Sequence, residues 1–178
     1  VAHRTSPTNI GLSLLSHLSA YDLGYLGMGA LVRRCGNTLD TMQGLERDRG
    51  HFYNWYDTQS LRPLIPIYIS TVDSGNLCAH LLTLHAGLRE LPGQPILDVP
   101  VLHGFRDTLA ILLDAVRTET AMAGRDDAIA SFLKQLNVAL RQPPETLMTT
   151  CAVLADLGTQ AAAIVDSMAL AVNDGARA

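Results

Sequence analysis

The chain has 178 residues, a formal net charge of −4 and three cysteines without a CxxC pair. That length fits one domain with a real core, and the lack of any basic cluster excludes the electrostatic footprint of a nucleic-acid binder. Cys35, Cys78 and Cys151 are an odd, widely spaced set, expected to be small buried hydrophobes in a reducing compartment. No continuous apolar run approaches the roughly 18 residues of a membrane span, and no signal-peptide pattern opens the chain.

Helical periodicity dominates. Ser6-Pro7 predicts a helix start, with Ser6 as N-cap and Pro7 in the first turn, followed by Ile10, Leu14, Leu15, Leu18 and Tyr21 at spacings of three and four. Gly24 and Gly27 end it. A second helix carries Leu31, Val32, Cys35, Leu39, Met42 and Leu45, with LERDRG closing it and Gly50 expected just past its C-cap.

Residues 51 to 69 change character. The stretch GHFYNWYDT (50–58) holds Phe52, Tyr53, Trp55 and Tyr56, in a chain with only one Trp, five Tyr and three Phe. LRPLIPIYIS (61–70) combines two prolines with a β-branched, aromatic run, so it reads as extended or as a short hairpin with 51 to 58. Ser70 with Asp73 three residues later then has the form of a capping box.

Leu77, Leu81, Leu84, Leu88 and Leu91 carry a third helix to the breaker PGQP. A fourth is expected from residue 100 to 122 on Leu102, Phe105, Leu109, Leu112, Leu113 and Val116, and Gly124 separates it from a fifth on Ile129, Phe132, Leu133, Leu136 and Leu140. QPPE starts a sixth, with Leu154, Leu157, Ala161, Ile164, Val165 and Met168, running to Gly175. Short connections predict antiparallel packing of sequential helices. The fold class is all-α: antiparallel helical hairpins, six helices, and one long irregular aromatic loop. No internal repeat or low-complexity segment is present.

Charged residues make up 17% of the chain and hydrophobic ones 48%, against about 25% charged in ordinary soluble domains. The first residue is not Met, and the chain opens inside a helix-start signal. The expectation is that residues 1–178 are a single piece of a larger helical domain, with apolar surface that belongs against neighbouring chain. The isolated piece is then expected to self-associate.

Little in the sequence points to metal, phosphate or nucleophile chemistry. His80 and His85 are five apart, off the i, i+4 spacing that sets two ligands on one helical face, so they read as surface or packed histidines. No GxGxxG or GxxxxGK occurs, and Ser74-Gly75 lacks the surroundings of a nucleophile elbow. No metal and no cofactor are expected. The aromatic loop is open to two readings. It could plug the end of a helical bundle. Alternatively, NWYD offers aromatic faces for the C–H side of a sugar ring and amide or carboxylate groups for its hydroxyls, with Asp73, Ser74 and Asn76 adding polar groups at the next helix start.

Three segments carry a family resemblance: RTSPTNIGLSLLSHLSAYDLGYLG (4–27), LERDRGHFYNWYDTQSLRPLIPIYISTVDSGNL (45–77) and AHLLTLHAGL (79–88). Together they closely resemble the central region of cyclic β-1,2-glucan synthases. The resemblance covers residues 1–92, whereas 93–178 reads as generic helix. It implies a very large bacterial inner-membrane enzyme, whose glycosyltransferase domain extends a β-1,2-glucan from UDP-glucose and whose central glucoamylase-like region closes the ring. The implied fold is an α/α toroid of paired helices around a sugar cleft, of which six helices are a part. The implied location is the cytoplasmic side of the inner membrane.

By the same resemblance, Asn54, Trp55, Tyr56, Asp57, Thr71, Asp73, Ser74 and Asn76 are the expected substrate-binding residues. The implied partners are a β-1,2-glucan chain and the remaining domains of the parent polypeptide. Within NWYD and STVDSGN the carboxylates are Asp57 and Asp73, and neither is expected to be the acid. The catalytic pair of such a transglycosylase is expected outside these residues, and the piece is expected to be inactive alone. The alternative is a non-catalytic helical module that packs between the domains of the same enzyme.

Overall fold

A computed structural model of the chain describes residues 3–94, 99–117 and 126–175. The fold is all-α, with six α-helices and four two-residue strands among the described residues. It divides into two units, Val1–Ile96 and Leu97–Ala178.

The first unit starts with strand β1 (Arg4–Thr5) and helix α1 (Pro7–Asp22). Ser6 caps α1 in an extended conformation, its Oγ accepting the Asn9 N–H at 3.2 Å, an arrangement that contributes about 1 kcal/mol. Gly24, at φ +79°, ends α1 as the expected C-terminal stop. Its N–H reaches the Tyr21 carbonyl and the Tyr25 N–H reaches Ala20, so two of the last orphan carbonyls are satisfied.

Helix α2 (Met28–Gly44) buries Leu31, Cys35 and Met42, with Leu39 partly covered. Val32 departs from the expected stripe and is exposed, because it lies at the edge of the arc that the other residues define. The end of α2 also differs from expectation. The helix stops at Gly44, and Leu45 turns extended to enter the core. LERDRG is therefore not a helix terminus but a tight hairpin of β2 (Arg47–Asp48) with β3 (His51–Phe52). Arg49 and Gly50 both take positive φ in its turn, the combination that matches the twist of a two-residue hairpin loop.

Helix α3 (Thr71–Glu90) starts at the predicted Ser70, whose Oγ accepts the Asp73 N–H at 3.1 Å. It continues into a 3₁₀ turn at Leu91–Gly93. Its Leu77 and Leu84 share a core with Ile10, Leu14, Leu18, Leu31 and Tyr56. Burying one such leucine fully contributes about 1.5–3 kcal/mol.

Helix α1 packs against both α2 and α3. Its contact with α3 pairs Thr8 with Asn76, Gly11 with His80 and Leu18 with Gly87. Both residue numbers rise together, so these two non-sequential helices run parallel. The approach is close. A Cβ on Gly11 would lie 2.9 Å from His80 Cβ, and one on Gly87 would lie 2.5 Å from Leu18 Cδ2.

The second unit comprises α4 (Val99–Arg117), α5 (Asp126–Arg141) and α6 (Leu147–Gly175). Leu102 and Leu109 of α4, Ile129, Phe132 and Leu136 of α5, and Leu157 and Ile164 of α6 form its core. Gln135 of α5 donates to Asp156 at 2.5 Å and is bonded by Gln160, so α5 and α6 also share a polar seam. The expected end of the fourth helix near 122 and the separator Gly124 lie outside the described residues.

Two further expectations are corrected. Cys35 is buried, but Cys78 and Cys151 are exposed, since each sits on a helix face that points away from its unit's core. No continuous apolar run was expected to approach a span, yet Leu147–Met168 is long and apolar enough to cross a membrane by length and mean hydropathy. Its polar residues are interspersed thinly enough to leave the average high, which a search for unbroken runs overlooks.

Candidate functional site

The aromatic loop is threaded between β1 and the extended segment that follows it. Strand β4 (Tyr56–Asp57) pairs antiparallel with β1, setting Arg4 opposite Asp57 and Thr5 opposite Tyr56. On its other edge Tyr56 bridges to Pro63. The Asn54 N–H reaches the Tyr68 carbonyl and the Leu64 N–H reaches the Trp55 carbonyl, each at 2.9 Å. The run 61–70 thus forms an irregular second edge, where its prolines remove ladder donors. The expected hairpin of 51–58 with this run is present in irregular form, with the Asp57 N–H also reaching the Arg62 carbonyl at 2.9 Å, while β1 pairs with the opposite edge.

Tyr56 is the anchor. Its ring has 0% exposure, and its hydroxyl accepts the Tyr53 N–H at 2.8 Å while donating to the Glu46 carbonyl at 2.7 Å. Phe52 meets it edge-on with centroids 6.5 Å apart. Burial raises the phenol pKa. Tyr56, one of the sequence-predicted site residues, lies in the core of the first unit, fixes the loop to the hairpin and lines a cleft between α1 and α2.

Asn54 is 5% exposed and forms the hub of a polar cluster. The orientation of its amide is assigned from its surroundings. Its nitrogen donates to Asp73 Oδ2 at 2.9 Å, and its oxygen accepts from the Tyr68 hydroxyl at 2.5 Å and the Trp55 indole N–H at 2.6 Å. Trp55 is half-buried, and the Arg4 guanidinium lies 4.8 Å from its ring centroid. This cation–π contact contributes about 0.5–1 kcal/mol.

Asp73, in the first turn of α3, reaches across to the start of α1. The Thr8 hydroxyl is the main influence holding its carboxyl below the usual range, followed by the Ser70 hydroxyl, with Ser6 and the Thr8 backbone N–H adding to them. One carboxylate therefore serves two helix N-termini, where negative charge is favourable. Ser74 is half-buried and its hydroxyl is spent on the Ser70 carbonyl at 2.8 Å. Asn76 is exposed and donates to Thr8 Oγ1 at 3.2 Å. Thr71 is exposed.

Asp57 does not join this cluster. Its Oδ1 accepts the N–H groups of Gln59 and Ser60, at 3.0 and 2.6 Å, and the Ser60 hydroxyl at 2.9 Å, closing the turn in which Leu61 takes φ +60°. These Ser60 bonds, chiefly, hold its pKa below the ordinary value. Both carboxyls are thus ionised near neutral pH, the wrong state for a general acid. Among the described residues, no group of three or more His, Cys, Asp or Glu is placed to hold a metal ion.

The structure thus brings together Asn54, Trp55, Asp73, Ser74 and Asn76 at the N-terminal ends of α1 and α3. Arg4, Thr8 and Tyr68 complete the cluster and were not singled out from the sequence, and Ser6, expected only as the cap of α1, joins them. Arg4 and Thr8 sit in the first recognised motif, but nothing in that motif alone shows that α1 starts against Asp73.

No family model matches the chain. Across 155 residues it is 36% identical to the cyclic β-(1,2)-glucan synthase NdvB of Rhizobium meliloti (strain 1021), covering 78% of this chain. The chain spans 6% of the length of that relative. The motif resemblance is therefore borne out by an extended similarity, and the chain is related in sequence to a short segment of a cyclic β-(1,2)-glucan synthase.

Proposed function

We propose that the chain is part of a cyclic β-1,2-glucan synthase and contributes carbohydrate contacts to its glucan-cyclising, transglycosylating region. The parent enzyme sits at the cytoplasmic side of the inner membrane, and the chain's partners are a β-1,2-glucan and the parent's remaining domains. The observation that carries this reading is Trp55: a half-buried indole whose N–H is tied to Asn54, so that the ring is pre-oriented while part of it stays in solvent. Pre-orientation lowers the ordering cost of binding. The parallel packing of α1 with α3 supports the toroid reading, since helices of one layer in such a ring share a direction. The paired catalytic carboxyl groups lie elsewhere in the parent, which makes this piece inactive alone.

A second reading has its own support. Tyr56 is fully enclosed, as a packing module with a plugged end requires. Titration of linear β-1,2-gluco-oligosaccharides by calorimetry distinguishes the two. Saturable heat that is lost in Trp55→Ala supports the carbohydrate reading; no heat with the chain or with the complete central region supports the packing module.

A further inference from the structure

Away from the Asn54 cluster, a cavity of about 350 Å³ opens between α1 and α2 in the first unit. Its size falls in the range of small-molecule sites. Asn9 and Ser13 of α1 face into it from one wall, and Asn37, Thr38 and Thr41 of α2 from the other. Ile10, Met42 and Leu45 supply apolar surface at its base, and Thr58 and Leu61 of the loop border it. None of the side chains lining the cavity is charged.

We infer that this cleft is a binding site for a neutral, polyhydroxylated ring of hexose size, with the Asn9 and Asn37 amides as its principal polar contacts. An ionic guest would lose water without gaining a counter-charge, which a neutral one avoids. A sugar hydroxyl both donates and accepts, and an asparagine amide does the same from a single side chain. Thr38 and Thr41 use their hydroxyl protons on the Arg34 and Asn37 carbonyls, at 3.0 and 2.8 Å. They present methyl groups and remaining lone pairs to a guest, whereas the Asn9 and Asn37 side-chain amides have no partner among the described residues. The apolar base suits the C–H face of the ring.

The cleft lies on a different face of α1 from the α3 contact. Asn9 and Ser13 line it, while Thr8 and Gly11 meet α3. Strand β4 runs between the two places: Trp55, just before it, belongs to the Asn54 cluster, and Thr58, just after it, borders the cleft. The site is therefore an addition to the aromatic cluster, and it rests on the carbohydrate reading of the chain.

The test is an NMR titration of the isotopically labelled 178-residue chain with a linear β-1,2-gluco-oligosaccharide, repeated on the Asn9→Ala, Asn37→Ala double variant. Both positions are exposed on helices, so the variant keeps the dispersed spectrum of the folded chain. The expected result is movement of the Asn9 and Asn37 side-chain amide signals and at least about tenfold weaker binding in the double variant, as loss of two hydrogen bonds implies. Shifts confined to 54–57 and 70–76 overturn the cleft and leave the carbohydrate reading standing. Unchanged affinity in the folded double variant overturns the role of the two amides. An oligosaccharide that moves no signal at all overturns the cleft, while the carbohydrate reading is decided by the calorimetric titration of the complete central region.

Discussion

Asn54 donates to Asp73 at 2.9 Å, and that one bond joins the aromatic loop to the first turn of α3. The Thr8 and Ser6 hydroxyls at the start of α1 also lower the Asp73 pKa, so three segments act on a single carboxylate. Asp73→Asn replaces the charged acceptor of the Asn54 bond with a group that must also place its own N–H groups. We predict a loss of about 1–3 kcal/mol in stability of the first unit, read from denaturant unfolding.

The same residue sets a pH dependence. The folded-state pKa of Asp73 is lowered, chiefly by the Thr8 hydroxyl and then by Ser70, so the unfolded chain binds its proton more readily. Its contribution is fully present above about pH 4, the ordinary Asp value, and is lost as pH falls through the folded pKa. Unfolding free energies below pH 4 are expected to fall less steeply in Asp73→Asn than in the parent chain. The remaining slope includes Asp57, whose pKa is lowered in the same direction. Equal slopes would mean that Asp73 makes no differential contacts in the folded state.

Gly11 gives a test by sign. In an open helix position, Gly→Ala stabilises by up to about 1 kcal/mol through helix propensity. Here the added methyl meets His80 near its backbone, where little can yield, and we predict destabilisation by about 1–3 kcal/mol. Gly87→Ala is expected to cost less, because the atoms it meets are the flexible end of Leu18. Stabilisation by Gly11→Ala would show that α1 and α3 do not approach as closely as described.

These glycines mark the limit of what could be read in advance. The α1 start, its Gly24 stop and the Ser70 cap were legible because capping chemistry is local. The α1–α3 contact was not, since Gly11 and Gly87 are small inside a helical pattern whether or not a neighbour crosses there. Gly50 misled for a related reason: a positive-φ glycine suits both a helix stop and a hairpin turn, and only the entry of Leu45 into the core decides between them. Within the site, the gathering of Asn54 with Asp73 follows from the path of the loop over α3. Tyr56, one of the predicted contact residues, serves the core because its hydroxyl finds two backbone partners under the loop.

In the complete enzyme, Asp57→Asn and Asp73→Asn are each expected to reduce ring closure by about 10- to 100-fold, mostly through weaker substrate binding, as loss of a charged hydrogen-bond acceptor implies. A fall of several further orders of magnitude, with rescue by azide, would place one of them in the catalytic pair.

The charge deficit also has a measurable consequence. Ile65 is 90% exposed and Met148 83%, and Val72 and Ile111 are exposed as well. Large apolar patches drive association. Sedimentation velocity is expected to show concentration-dependent self-association of the isolated chain. A monomer at all concentrations, with no binding of a hydrophobic dye, would contradict the view that these surfaces belong against further chain.

Trp55 is the chain's single tryptophan, so its emission reports on the aromatic cluster alone. The most direct test of carbohydrate contact is a fluorescence titration of the complete central region, carrying only this Trp, with linear β-1,2-gluco-oligosaccharides. The account predicts a saturable change in emission, with Trp55→Ala weakening calorimetric binding by about 1–3 kcal/mol while the fold is retained. Saturable binding that leaves the emission unchanged and is unaffected by Trp55→Ala, in a variant whose thermal stability collapses, would make Trp55 a core plug and contradict the account.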